Sequence, residues 1–204
     1  GTGKSTLASH FAGATCAAGE RCLYFAFEES QSQILRNMKS IGLNLEKYVK
    51  SGLLHLFTAR PTLYGLEMHL AMMHKQLIEL KPAAVIIDPI SNFIASGEER
   101  DVHSMLIRLV DFMKLKNVTS IFTNLTTGNE ALESTDVGIS STMDTWILLR
   151  DIEIGGERNR VHHRCQHAHL VAGHAVAAGA TCLGQRDAAE DVAATDHQRN
   201  LDTC

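Results

Sequence analysis

Gly1-Thr2-Gly3-Lys4-Ser5-Thr6 opens the sequence, and its reading decides the fold. These residues supply the last five positions of the phosphate-binding pattern G-x-x-x-x-G-K-[ST], plus the residue after it. Gly3 lets the backbone come close to a phosphate, and the loop amides can cradle the anion at a helix N-terminus. Lys4 would bring a cation to the β- and γ-phosphates of a nucleotide, and Ser5 a hydroxyl to Mg²⁺. The leading glycine of the pattern is missing, so taken alone the stretch also fits a chance glycine-lysine turn.

The residues downstream decide between those readings. Residues 4–18 read as a helix opened by the glycine turn, with Leu7, Phe11 and Ala14 expected on one face. Further along, Ala84-Val85-Ile86-Ile87-Asp88 is an apolar strand that ends in an aspartate. In a P-loop domain an aspartate at that place holds the Mg²⁺ shell. An aspartate closing a strand can also be a turn former or a helix cap, and the upstream loop favours the metal. Because the motif is met partway through, the chain is expected to be a piece of a longer protein.

The segments around these two motifs alternate regularly. Strands are expected at 22–27, 53–58, 83–87, 120–123 and 145–149. Helices are expected at 31–41, 66–80 and 102–115, with Leu70, Met73, Leu77 and Leu80 at helical intervals in the second. Such alternation implies βαβ units and a mainly parallel central sheet flanked by helices, an α/β fold. The near-continuous apolar run at 83–87 suits a central parallel strand.

Composition narrows the function classes. The chain has 204 residues, is 45% hydrophobic and carries a formal net charge of −4. That length suits one α/β domain with a substantial core. The acidic balance argues against a strongly basic nucleic-acid binder. No run of about 18 apolar residues is present, so no membrane span is expected. The opening residues do not resemble a signal peptide. Cys16, Cys22, Cys165, Cys182 and Cys204 are odd in number and lack CxxC spacing. Reduced thiols in a cytoplasmic protein are therefore expected.

Composition changes after Arg160. Residues 161–204 hold ten alanines and six of the eleven histidines, and no Lys, Ile, Phe, Tyr, Trp, Met, Ser or Pro. Few residues there suit a packed strand. A weak helix, a disordered tail or a frame-shifted reading of the source all fit. The domain is accordingly expected to span 1–160, with 161–204 as an atypical tail. Its His162, His163, His167, His169 and His174 follow no established zinc spacing.

Other polar groups lie at strand ends. Glu28 and Glu29 come directly after the first strand, and two carboxylates there can orient and deprotonate a water or a hydroxyl. They can equally be a solvated loop before the next helix. Thr123 and Asn124 could reach a γ-phosphate or the attacking water, or simply form a turn. Ser140, Ser141 and Thr142 lie between Asp136 and Asp144, where hydroxyls could accept phosphate or form a turn.

Taken together these residues resemble the RecA-like ATPases, and specifically the KaiC family of circadian clock proteins and their bacterial relatives. The stretches that carry the likeness are GTGKST, Phe25-Ala26-Phe27-Glu28-Glu29-Ser30 and Gln33-Ile34-Leu35-Arg36-Asn37. It continues through Leu80-Lys81-Pro82-Ala83 into Ile86-Ile87-Asp88, then Phe122-Thr123-Asn124, and Ser134-Thr135-Asp136 through Ser140-Ser141 to Asp144-Thr145. The likeness covers 1–160 and is greatest to the family's second, phosphorylatable ATPase domain.

The resemblance implies ATP and Mg²⁺ as cofactors. Thr2, Gly3, Lys4, Ser5, Thr6, Asp88 and Asn124 would bind the nucleotide, with Ser5 and Asp88 at the metal. It implies Glu28 as general base with Glu29 as its partner, and Ser140 and Ser141 as phosphoacceptors. It further implies a homo-hexameric ring with ATP between protomers, Arg160 turned toward a neighbour's nucleotide, and signalling proteins as partners. The family carries a lysine and an arginine shortly after that arginine, where this chain has Gln166 and Ala168. The function expected is an ATPase and serine autokinase of signalling or circadian type. Two alternatives accompany it: a DNA-dependent recombinase of the same superfamily, and a non-catalytic nucleotide-sensing scaffold.

Overall fold

The computed structural model describes residues 2–125, 142–154, 157–166 and 175–180. The helix after the glycine turn, α1, runs Lys4–Ala17, and the first strand, β1, Cys22–Ala26. Ser30 then starts α2 (Gln31–Ser40) through a capping box. The Gln33 amide donates to the Ser30 hydroxyl, and the Ser30 amide donates to the Gln33 side chain at 2.9 Å. Two orphan donors are satisfied at once, which fixes where the helix begins. After α3 (Glu46–Lys50) come β2 (Leu54–Thr58), α4 (Leu66–Leu80), β3 (Ala84–Asp88), α5 (Glu99–Leu115) and β4 (Thr119–Leu125). Short 3₁₀ turns at Pro61–Leu63 and Ile90–Ser96 come after β2 and β3. The last strands are β5 (Thr145–Ile154), β6 (Glu157–Gln166) and β7 (Ala175–Ala180).

The expected fold is the one observed: an α/β domain on a mainly parallel sheet. Among the described residues the strands lie in the order β2-β1-β3-β4-β7-β5-β6. All neighbours are parallel except the antiparallel β5–β6 pair. In β1 every residue is buried, as helices on both faces require.

Two cores result from the alternation of side chains. Leu23, Phe25, Val85, Ile87 and Phe122 meet α4 and α5 through Leu70, Met73, Leu77, Met105, Leu106 and Leu109. On the opposite face Cys22, Tyr24, Ala26, Ile86 and Ile121 meet α1 and α2 through Ala8, Ala12, Cys16, Ile34 and Met38.

The face that α1 turns inward corrects the sequence expectation. Ala8, Ser9, Ala12, Gly13 and Cys16 are buried, whereas Leu7 and Phe11 are only partly covered and Ala14 is exposed. The largest apolar side chains of this helix therefore lie beside the contact, and the smallest lie in it. Small side chains allow the helix axis to approach the sheet closely. Gly13 sits so tightly that an added Cβ would come 3.1 Å from the Leu43 side chain.

Residues beyond 160 also enter the sheet. The boundary expected there falls inside β6, and β7 pairs with both β4 and β5. Backbone pairing on two sides can hold a strand as poor in large side chains as Ala-Val-Ala-Ala-Gly-Ala.

Ala12→Leu should insert extra methylenes under α1 and cost about 2 kcal/mol of unfolding free energy. Urea denaturation checks this. A loss below about 0.5 kcal/mol, the ordinary range for surface changes, would mean α1 is not closely seated.

Candidate functional site

The cleft at the carboxyl end of the parallel strands is assembled from three strand ends and one helix start. Gly3 adopts φ 93°, a left-handed conformation that glycine enters without steric cost, and it turns the chain into α1. Among the described residues no side chain caps the helix start. The first-turn amides are thus left to an external acceptor, and the helix dipole favours an anion. Thr2, Gly3, Lys4, Ser5, Thr6, Glu28, Asp88, Pro89 and Leu125 line one open cleft around this point.

Charge within the cleft is arranged around Lys4. Partial burial pushes its ammonium below the ordinary lysine value of 10.5, while Asp88 and then Glu28 pull it part of the way back. Among the described residues, desolvation outweighs the pull of the two carboxylates. A phosphate chain would supply further negative charge.

Asp88 is held by two hydroxyls. Tyr24, from the middle of β1, donates its phenol hydroxyl to Oδ2 at 2.6 Å. Thr123, near the end of β4, donates its hydroxyl to Oδ1. Burial, followed by the charge and hydrogen bond of Asp88, pushes the Tyr24 hydroxyl well above its usual pKa. It therefore keeps its proton and remains the donor.

The two glutamates differ. Glu29 accepts from the Asn37 side-chain amide of α2 at 3.3 Å, which tethers it to the helix that Ser30 caps. Glu28 is exposed and reaches Lys4 only through its charge. Behind them Ser5, Ser9, Tyr24, Glu28, Glu29 and Asp88 enclose a small chamber of about 30 Å³. A cavity of that size admits a single water.

These residues suit a magnesium nucleotide. Ser5 and Asp88 share the cleft, hard oxygen donors match Mg²⁺, and the uncapped helix start beside a partly buried lysine matches phosphate. Thr2, Gly3, Lys4, Ser5, Thr6, Glu28 and Asp88 are thus brought together as the sequence suggested, with Glu29 one layer behind.

Asn124 is not among the residues lining the cleft. Its neighbour Thr123 shares the α1 face with Ile121, whereas Asn124 alternates to the other face and is buried. Arg160 lies in β6 opposite Asp151, on the edge strand. Four strand steps separate β6 from β3, roughly 19 Å at about 4.8 Å each, so Arg160 is remote from its own cleft. Ser140 and Ser141 lie outside the described residues. Tyr24 escapes a reading of the sequence because it is one apolar residue in a buried run. Only the register of β1 against β3 gives its hydroxyl a partner.

The family described as ATPase: KaiC matches residues 1–163. The circadian clock protein KaiC2 of Synechocystis sp. is 50% identical over 163 residues, which is 79% of this chain and 29% of that protein. The circadian clock oscillator protein KaiC of Parathermosynechococcus lividus is 37% identical over 163 residues, 78% of this chain and 30% of that protein. KaiC of Synechococcus elongatus is 37% identical over 161 residues, 78% of this chain and 31% of that protein. The chain thus spans about three tenths of the length of these relatives.

The balance at Lys4 yields a prediction whose sign can be worked out. Its folded pKa lies below the unfolded value, so folding disfavours the charged form. The cost is fully present below the lowered pKa and is relieved as pH rises toward 10.5. Lys4→Met removes that cost along with the cation. At pH 7 the nucleotide-free variant should melt no lower than wild type yet lose ATP binding, as thermal melts with and without Mg-ATP would show.

Proposed function

The chain belongs to the KaiC ATPase family, and on that premise we propose that it binds Mg-ATP in this cleft and uses it for hydrolysis and serine autophosphorylation. One observation carries the reading. Lys4, Ser5, Glu28 and Asp88 meet in a single cleft at an uncapped helix start.

Each residue then has a role that its surroundings support. The first-turn amides of α1 and the Lys4 ammonium hold the β- and γ-phosphates and offset charge on the transferring phosphoryl group. Ser5 and Asp88 would hold Mg²⁺, which would supply further neutralisation of phosphate charge. Glu28, which lines the cleft, accepts the proton of the attacking water or hydroxyl. Glu29 is fixed by Asn37 and keeps that loop in place. Ser140 and Ser141 are the proposed acceptors of the phosphoryl group.

Transfer between subunits of a hexameric ring accounts for the remaining residues. Arg160 is on the edge strand, far from its own cleft and suited to a neighbour's. The relatives named as clock proteins make a signalling or circadian role, with protein partners, the setting proposed for this chemistry.

The test combines one variant with one map. Glu28→Gln should lower ATP turnover by at least about a hundredfold while ATP binding is unchanged. After incubation of the wild-type chain with Mg-ATP, phosphopeptide mass spectrometry should find phosphate on Ser140 or Ser141. Hydrolysis without phosphate at either serine would leave an ATPase that is not an autokinase. Unchanged turnover in Glu28→Gln would remove the base.

A further inference from the structure

Asp88 sits at the end of β3 with a donor hydroxyl on each oxygen, and the two donors come from the strands on either side. In the register of β1 and β3, Tyr24 pairs with Ile86 and Ala26 with Asp88. Tyr24 is therefore two residues short of the aspartate. Its side chain points to the same face, because residues two apart in a strand share a face. Two residues span about 6.6 Å, a gap that a phenol ring can reach along and a shorter hydroxyl side chain cannot. On the other side Ile87 pairs with Phe122, which puts Thr123 one step further, next to Asp88. Both donors are almost fully enclosed, Tyr24 at 1% exposure and Thr123 at 0%.

We infer that Tyr24 and Thr123 are positioning residues that lock the plane of the Asp88 carboxylate, so that its remaining lone pairs face the metal position beside Ser5. An ionised carboxylate has about four lone-pair sites. The two hydroxyls take one on each oxygen, and each oxygen keeps one for the cleft. A single anchor would let the carboxylate turn about its own bond; two anchors on opposite strands do not. The close seating of α1 makes this possible, since Ala8, Ser9 and Ala12 leave room for a tyrosine beneath the helix. Hydrogen-bond partners of this kind fix the orientation of a metal ligand, and their loss typically weakens metal binding by about ten- to a hundredfold.

This inference rests on the Mg-ATP reading, and the experiment separates the two. Binding of a fluorescent ATP analogue to the whole chain is titrated with Mg²⁺, and again in excess EDTA, for wild type, Tyr24→Phe and Thr123→Val. Each variant keeps the shape of the side chain and removes its hydroxyl. In both, the Mg²⁺ concentration at half-effect should rise about tenfold, while affinity in EDTA stays within about twofold of wild type. Thr123→Val carries the test if Tyr24→Phe loses its melting transition.

Superimposable Mg²⁺ titrations in wild type and the folded variants would overturn the positioning role and leave the Mg-ATP reading intact. Equal loss of affinity with Mg²⁺ and in EDTA would indicate a general distortion of the cleft, and also overturns it. A wild-type chain that binds the analogue with no Mg²⁺ dependence would sink the Mg-ATP reading, and this inference with it.

Discussion

The close approach of α1 to the sheet is the constraint on which the site depends. A helix that packed through Leu7 and Phe11 would sit further out and lift its first turn away from the strand ends. Because Ala8, Ala12 and Cys16 form the contact with the sheet, the Gly3–Thr6 turn shares one cleft with Asp88. The consequence is electrostatic as well as steric. Lys4 is drawn partly out of water beside two carboxylates that do not fully compensate it. A site that holds a cation at some cost in the free state has a corresponding gain when a polyanion arrives.

The two faces of the sheet divide the work. The α4/α5 face is a thick apolar layer, with Phe25, Phe27 and Phe93 in contact and His69 buried beside Phe27 and Phe93. The His69 ring nitrogen Nε2 lies 2.9 Å from the Pro61 carbonyl and ties α4 to the turn after β2. The α1 face is more polar, with Tyr24 and Thr123 from the strands and Ser9 from the helix wholly buried. An unsatisfied hydroxyl there would be costly, and Tyr24 and Thr123 meet that cost by bonding to the one carboxylate at the strand end.

Beyond β4 the sheet continues through β7 into the β5–β6 pair, and Arg160 lies on its outer edge. This arrangement gives the proposed transfer between subunits a physical route, since the chain's own cleft is several strands away.

Local patterns in the chain were enough to specify the strands and helices from α1 to β4 apart from the short α3, the glycine-lysine turn and the acidic strand end, but not β6 and β7, which lie in a stretch poor in the residues that mark a strand. An apolar run with an aspartate at its end, or a glycine and lysine before a helix, carries its meaning in a few consecutive residues. Which face of α1 is buried was settled only by packing, because small residues outcompete larger ones only where the partner surface is already near. Packing likewise chose Thr123 rather than Asn124 to face Asp88. Strand alternation puts neighbours on opposite sides, and only the neighbouring strands define which side is which. Tyr24 is the plainest case. In the sequence it is one more apolar residue in a buried run. Its hydroxyl finds a partner 64 positions away, and pairing register, which no local pattern encodes, is what joins them.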